Sequence, residues 1–273
     1  MRASIIIPTK NRRASLAPLL ESLSRLKPVD GGHEILVVND GGESVSDIAL
    51  SFGARAIDQP PRGVSAARNR GAAEAQGELL LFTDDDCLAE PDWARNLCGA
   101  IEAAPKLLAH GRVVNGLPGN GWAVASQRLH DIAVDWFNHP ERGPGFFTGN
   151  NFGIRKIDWI EAGGMDEAWI VCGGEEREFA SRWAARGGRV ALTANAVIIH
   201  RHPLTWRRYL DQHFRYGRGA WYAGGGRIQS FQLYVKILTA APDWKGRLRL
   251  AASQGAVAAG WLYEAAARLK HKV

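Results

Sequence analysis

Along the first hundred residues, short unbroken apolar runs alternate with longer stretches in which apolar side chains recur every three or four positions. "SIIIPT" predicts a strand, and "NRRASLAPLLESLSRL" after it carries Leu16, Leu19, Leu20, Leu23 and Leu26 at helical spacing. "HEILVVND" predicts a second strand, "VSDIALSFG" a helix and "ARAID" a weak strand. "GVSAARNRGAAEAQG" predicts an alanine-rich helix ending at Gly77, and "ELLLFTD" a further strand. Continuous apolar strands separated by amphipathic helices indicate an α/β fold with a mostly parallel central sheet, covered by helices on both faces. Next, "PDWARNLCGAIEAA" predicts a helix opened by Pro91, and "LLAHGRVVN" a strand. A glycine- and tryptophan-rich stretch that reads as loop leads from there to "GFFTGNNFGIRK". "GGEEREFASRWAARGGRVALTANAVIIH" reads as loop, helix, turn and strand, and "LTWRRYLDQHFRYGRGAWYAGG" as a basic, aromatic helix. The tail from Leu248 is helical and alanine-rich; Ser253, Gln254 and Glu264 interrupt it, short of the ~20 apolar residues that span a bilayer.

Three of the predicted strands end in polar residues: Pro8-Thr9-Lys10, Asn39-Asp40, and Asp84, Asp85 and Asp86. In open parallel sheets, ligands bind beyond the carboxyl ends of the strands. Three adjacent carboxylates repel one another and lose solvation where they are buried, unless a cation or hydrogen-bond donors compensate. On an extended strand, Asp84 and Asp86 share one side and Asp85 takes the other. A carboxylate pair of that kind suits Mg²⁺ or Mn²⁺ together with waters and substrate phosphates. Acidic residues are also common in turns and helix caps. The coincidence of three polar strand ends favours a binding site.

Charge narrows the partners. The chain carries a formal net charge of +6, with basic residues dense from Arg201 to Arg227 and from Lys245 to Lys272. A phosphorylated substrate, an anionic membrane surface or nucleic acid each suits that balance. Ten tryptophans fit sugar stacking, membrane-interface anchoring or plain core packing, and Trp122, Trp136 and Trp169 fall in predicted loops that could line an acceptor groove. Three cysteines without metal-binding spacing fit a reducing cytosol, and the four-residue apolar run near the start is too short for a signal peptide. The 273 residues suit one large domain or a domain with a smaller appendage.

The motifs resemble those of the family 2 glycosyltransferases, inverting enzymes of the GT-A fold that use nucleotide sugars. "SIIIPTKNR" resembles that family's opening strand and turn, and "ILVVNDGG" its "VVDDGS" motif. "GVSAARNRGAAEAQGELLLFTDDDC" resembles the block that ends in Asp-x-Asp. "FFTGNNFGIRK", "GGMDEAW" and "GGEEREFASRWAARGGRV" resemble the region that carries the catalytic carboxylate. The match runs over roughly residues 3–220. It implies a GT-A domain at 1–220, with a nucleotide-binding half at 1–110 and an acceptor and catalytic half at 111–220, then a helical C-terminal extension at 221–273.

The resemblance also implies roles. Pro8 and Thr9 border the nucleotide pocket, Asp40 contacts the base, Arg68 lies close to the nucleotide and Asn69 holds a loop. Asp84 and Asp85 belong to the donor site. Asp86 is the metal ligand, with Asp84 on the ribose or beside the metal, and His200 matches a position that contacts metal or diphosphate in some relatives. The cofactor implied is a divalent cation, Mn²⁺ or Mg²⁺. Glu176 takes the place of the catalytic base, with Glu175 as the alternative, because this chain has "EE" where the family usually has Glu-Asp. At a helix N-terminus the Glu176 anion is expected to be favoured by the helix dipole. Asn39 stands where many relatives have aspartate.

The expected reaction is transfer of a sugar from a nucleotide-diphospho-sugar to a hydroxyl of a glycan, lipid-linked or small-molecule acceptor. Nucleic acid is not an expected partner. A cytoplasmic location follows as an expectation, with peripheral contact at the inner face of the membrane through the C-terminal helices; a homodimer is another use for that surface. The rival readings are a sugar-phosphate nucleotidyltransferase, which lacks here a glycine-rich phosphate loop with a following lysine, and a non-catalytic nucleotide-sugar-binding relative.

Overall fold

The computed structural model describes residues 2–139, 141–168, 173–223 and 230–269. The first half runs β1 (Ala3–Thr9), α1 (Arg13–Leu23), β2 (His33–Asn39), α2 (Ser46–Ser51), β3 (Arg55–Asp58), α3 (Val64–Glu74), β4 (Leu79–Thr83), β5 (Cys87–Ala89) and α4 (Trp93–Ala103). The second half runs β6 (Leu107–Asn115), α5 (Gly121–Phe137), β7 (Asn151–Arg155), α6 (Lys156–Ala162), α7 (Glu175–Ala184) and β8 (Arg189–His200). Three helices follow: α8 (Trp206–Ala223), α9 (Phe231–Thr239) and α10 (Trp244–Leu269).

The eight strands form one sheet in the order β3-β2-β1-β4-β7-β6-β8-β5. β1 to β4 are parallel, as expected from their apolar runs, and β8 is parallel to β6. Two strands are reversed: β7 lies antiparallel to β4 and β6, and β5 antiparallel to β8. The carboxyl ends of β1, β2, β4, β6 and β8 therefore share one edge, and the chain entering β7 at Asn151 meets it opposite Thr83.

Alternation along each strand divides the core in two. Ile5, Ile7, Leu79 and Leu81 face α1 and α4 with Leu16, Leu20, Trp93 and Leu97. Ile6, Leu80 and Phe82 face the other way, against Ala67, Trp159, Phe179 and Trp183. On that second face Phe82 stacks on Phe152 with centroids 4.4 Å apart, and Phe147 packs on Phe152 at 4.7 Å. Offset aromatic packing of this kind adds to the area buried, and here it anchors the segment that leads into β7.

A third cluster, formed by Ala125, Ile132, Leu204, Tyr209, Leu233, Ile237 and Leu250, joins α5 to α8, α9 and α10. The stretch read as loop between Asn115 and "GFF" in fact contains the 17-residue α5. Its start is set by Asn120, whose Oδ1 accepts from the amides of Trp122 and Ala123, each at 3.0 Å. Pro118, Gly119 and Gly121 beside that cap gave the stretch its loop-like signature. Trp122 and Trp136 are thus helical, the first packed on Tyr209 and under Arg249, the second under Arg142. Trp169 lies outside the described residues. The C-terminal extension expected from 221 comprises the end of α8 with α9 and α10. No described helix is long and apolar enough to cross a membrane.

Candidate active site

The strand ends open into a cavity of about 810 Å³. Ten of the residues singled out from sequence line it: Pro8, Thr9, Asp40, Arg68, Asp84, Asp85, Asp86, Glu175, Glu176 and His200. They come from six separate segments, and the register of the sheet brings them together.

The triple aspartate does not obey strand alternation. β4 ends at Thr83, and the chain must reverse before Cys87 because β5 runs antiparallel to β8, so Asp84 to Asp86 form a turn. Each carboxylate has its own partner. Asp84 accepts from Arg68 Nη2 at 3.1 Å. Asp85, only 3% exposed, accepts from the Thr9 hydroxyl at 2.6 Å and from Arg12 at 3.0 Å, and ties β4 to β1. Burial pushes its carboxyl up to about 6 in spite of the Arg12 charge and the Thr9 bond.

Asp86 sits in a different setting. Cys87 pairs with His200 across β5 and β8, so the residue before the one lies beside the other. His200 Nε2 is 3.2 Å from Asp86 Oδ1, His202 Nδ1 is 3.1 Å from Oδ2, and Arg12 donates to Oδ2 at 2.9 Å. Burial alone would raise the Asp86 carboxyl, but the two imidazoles and Arg12 hold it far below the usual carboxylate range. Burial likewise opposes the charging of His200, and Asp86 outweighs it, raising the imidazole. The ligand atoms of Asp86, His200 and His202 all lie within 4.8 Å of one another, a group that does not include Asp84. One carboxylate oxygen and two imidazole nitrogens fit a divalent transition-metal ion better than Mg²⁺, which prefers oxygen alone.

Two members of this cluster were missing from the sequence reading. His202 stands two residues after His200, and an extended chain leaving β8 puts i and i+2 on one side; that signal was present. Arg12 had none, because its contacts are made across 73 and 74 residues of chain.

Asp40 holds a loop. Its carboxylate accepts from the amides of Arg62 and Gly63 and from Gln59 Nε2, at 2.7, 2.9 and 2.8 Å, and thereby fixes the entry to α3. Asn39 donates to Asp58 at 2.8 Å, away from the cavity. Asn69 exchanges hydrogen bonds with the Met165 backbone at 2.8 Å in both directions, pinning the turn after α6.

Arg68 is 2% exposed, and apart from Asp84 its guanidinium is short of partners: Nε and Nη1 are buried with no acceptor. Burial works against its charge, and Asp84, Glu176 and Glu175 together restore it. Gly149 is required beside it, since a Cβ there would lie 2.1 Å from Arg68 Nη2. The amide of Gly149 donates to Glu176 Oε1 at 3.2 Å, and that of Gly173 to Glu175 Oε2 at 2.7 Å. Gly173 and Gly174, with φ of 104° and 113°, make the left-handed turn that starts α7 and brings both glutamates to the cavity.

Glu176 departs from the dipole expectation. Burial, reinforced by the neighbouring Glu175 charge and only partly opposed by Arg68, pushes its carboxyl up to about 8. Loss of hydration outweighs what the helix terminus and one amide return. The result is a carboxylate that is basic near neutral pH, facing the same cavity as the Asp86 cluster.

The chain is 35% identical over 143 residues to an uncharacterized glycosyltransferase, YwdF, of Bacillus subtilis, covering 50% of this chain and 52% of that one. It is 25% identical over 238 residues to the probable glycosyltransferase YdaM of the same organism, covering 81% and 56%. It thus spans about half the length of the curated relatives it matches. Among solved structures, the mannosyltransferase PcManGT of Pyrobaculum calidifontis, in complex with GDP-Man and Mn²⁺, superposes with a TM-score of 0.62 at 18% identity, covering 98% of this chain and 80% of that one. The fold is GT-A. Residues 4–163 match the sequence model described as Glycosyl transferase family 2, and the chain belongs to that family of glycosyltransferases.

Proposed function

We propose that the protein is a divalent-metal-dependent, inverting glycosyltransferase that moves a sugar from a nucleotide-diphospho-sugar to an acceptor hydroxyl. The observation that carries this reading is the pairing, in one cavity, of the Asp86–His200–His202 donor set with Glu176, a carboxylate whose pKa burial and the Glu175 charge raise. Asp86, His200 and His202 would hold the cation, which when bound offsets negative charge on the departing diphosphate. Arg12 keeps Asp86 ionised and oriented. Arg68 has two buried donor atoms to offer a phosphate oxygen, and such charge-assisted bonds are among the stronger ones available.

Glu176 acts as the base, in preference to Glu175. It takes the acceptor's hydroxyl proton while that oxygen bonds to the anomeric carbon and the bond from this carbon to the diphosphate oxygen breaks. One displacement inverts the configuration. A base with a pKa near the working pH is the efficient choice, and Glu176 at about 8 meets that condition. Glu175 is the more buried of the two and is held by the Gly173 amide.

The test is a thermal-shift series with UDP, GDP and TDP, with and without Mn²⁺, repeated on Asp86→Ala. A ligand that binds only the folded state raises the melting temperature by mass action. A metal-dependent rise with one nucleotide, lost in Asp86→Ala, is expected and also identifies the donor base. No rise with any nucleotide at millimolar concentration would remove the donor assignment.

The surface of the helical layer supports peripheral contact with an anionic membrane. Trp206, Phe231 and Trp244 are 52%, 79% and 70% exposed, and Arg207, Arg208, Lys245 and Arg247 lie near them in sequence and are also exposed. Aromatic and basic residues side by side suit the lipid interface. Co-sedimentation with phosphatidylglycerol vesicles, weakened by salt and by Phe231→Ser with Trp244→Ser, is expected; recovery of the protein only in the supernatant would count against it.

A further inference from the structure

Toward α5, α9 and α10 the cavity wall becomes mainly hydrocarbon, although Gln127, His130 and Gln254 also line it. Leu129, Ile132, Ala133, Leu233, Ile237 and Val257 line it there. Such a lining favours an apolar group over a free sugar, most of whose hydroxyls would lose water without gaining partners. Arg177, the residue after Glu176, lines the same cavity. Its guanidinium carbon lies 4.6 Å from the centroid of the Phe137 ring.

Arginines on α7 and α8 close to this space are ion-paired, and Arg177 is not. On the same helix, Arg182 forms an ion pair with Glu178 at 2.7 Å, and on α8 Arg215 pairs with Asp211 at 3.0 Å. Arg177 is half-buried, and among the described residues no carboxylate or hydrogen-bond acceptor engages it, not even its neighbours Glu175 and Glu176. Burial acts on it without any compensating charge and lowers its pKa. An aromatic ring returns only part of what a desolvated cation loses, and a bound anion would return the rest. A cation without a counter-charge, an adjacent base and a hydrocarbon chamber thus border one space.

We propose that the acceptor is an amphipathic anion: its phosphate or carboxylate group binds Arg177, its hydroxyl faces Glu176, and its apolar portion occupies the chamber between α5, α9 and α10. This rests on Glu176 being the base of the transfer reaction. Phosphate and carboxylate share the recognition chemistry, since guanidinium forks fit both.

Calorimetric titration of the whole protein with octyl phosphate, octanoate, 1-octanol and inorganic phosphate, all below micelle-forming concentrations, tests the proposal. At least one of octyl phosphate and octanoate is expected to bind about 10-fold to 100-fold more tightly than 1-octanol, the range of a charge-assisted hydrogen bond. Inorganic phosphate should bind at least about 10-fold more weakly than octyl phosphate, because it lacks the apolar arm. The preferred anion of the two distinguishes a phosphate from a carboxylate acceptor. Arg177→Gln should erase the advantage over 1-octanol, while Ala133→Leu, which narrows the chamber, should weaken every octyl compound alike. The Mn²⁺-dependent nucleotide shift should survive in both variants. Equal binding of 1-octanol and both anions, or of inorganic and octyl phosphate, would overturn the proposal. So would loss of the nucleotide shift in Arg177→Gln with octyl phosphate binding unchanged, which would assign the residue to the donor. Absence of any nucleotide shift in the wild type, with the octyl series behaving as expected, would instead count against the donor reading alone.

Discussion

The two ends of the cavity are built on opposite physical plans. At the sheet edge, Asp84, Asp85 and Asp86 each meet a cation or a donor within 3.2 Å, and Thr9, Arg12, Arg68, His200 and His202 are tied into the same network. At the helical end the walls are mostly hydrocarbon, and the guanidinium of Arg177 rests on an aromatic ring. The first end is organised before any ligand arrives, which is what electrostatic stabilisation of a charged leaving group requires. The second offers shape and a low-dielectric wall, with no carboxylate paired to Arg177 among the described residues. Glu176 lines the same cavity as both, and its raised pKa has two causes: burial, and the repulsion of the neighbouring Glu175 charge.

Glu176→Gln should break the link between the ends most severely. Loss of a general base lowers kcat by about 10²- to 10⁴-fold, while the metal-dependent nucleotide shift remains. In the wild type, kcat/KM should rise with pH through about 8, as the carboxyl loses its proton. A profile that levels off near pH 5 would show that no base of raised pKa takes part, against the role given to a buried Glu176. The same shift predicts a stability effect of definite sign. The folded state holds the Glu176 proton up to about 8 and the unfolded chain only to about 4.5. The wild type therefore loses stability as pH rises across that window, and Glu176→Gln does not. Melting curves should show the variant gaining on the wild type from pH 5 to pH 9.

Asp86→Asn comes next. It removes a charge from the site without changing its shape, and activity should fall by more than the roughly 10- to 100-fold typical when only a supporting partner of a metal ligand is lost. Retained activity with Mn²⁺ would move the metal assignment elsewhere. Gly149→Ala is a smaller perturbation, with a Cβ 2.1 Å from Arg68 Nη2 that forces the guanidinium off Asp84. Overpacking of this kind costs about 1–3 kcal/mol, read as a lower melting temperature together with weaker nucleotide binding. The smallest effect is expected at the helical end. Asn120→Ala removes the cap of α5 and should cost about 1 kcal/mol, with nucleotide binding unchanged. If nucleotide binding fell as well, the two ends would not be independent.

Much of the sheet edge was legible because each piece is contiguous. "LLLFTDDD" announces a buried strand and its charged end within eight letters, and the Asn39-Asp40 and Pro8-Thr9 pairs do the same. The fold class followed from the alternation of apolar runs and helical spacing. Three features were not legible. The direction reversal at Asp84 to Asp86 depends on β5, a three-residue strand that no period can reveal. The role of Arg12 depends on contacts more than seventy residues away. α5 was concealed by the proline and glycines around its cap, although its interior has helical spacing at Ala125, Leu129, Ile132 and Trp136.

The sequence by itself determined the α/β sheet, the edge at which the site lies, and the carboxylates and histidine that gather there. These are local properties: a period of two or 3.6 reports how the backbone runs, and a polar residue after an apolar strand must emerge at its end. Only the tertiary structure decided which aspartate faces the imidazoles, why Glu176 is basic rather than inert, and that an apolar chamber with an unpaired Arg177 opens beside it. Those depend on burial and on charges brought in from distant segments. Desolvation and Coulomb interaction act through space, so neither can be read from order along the chain.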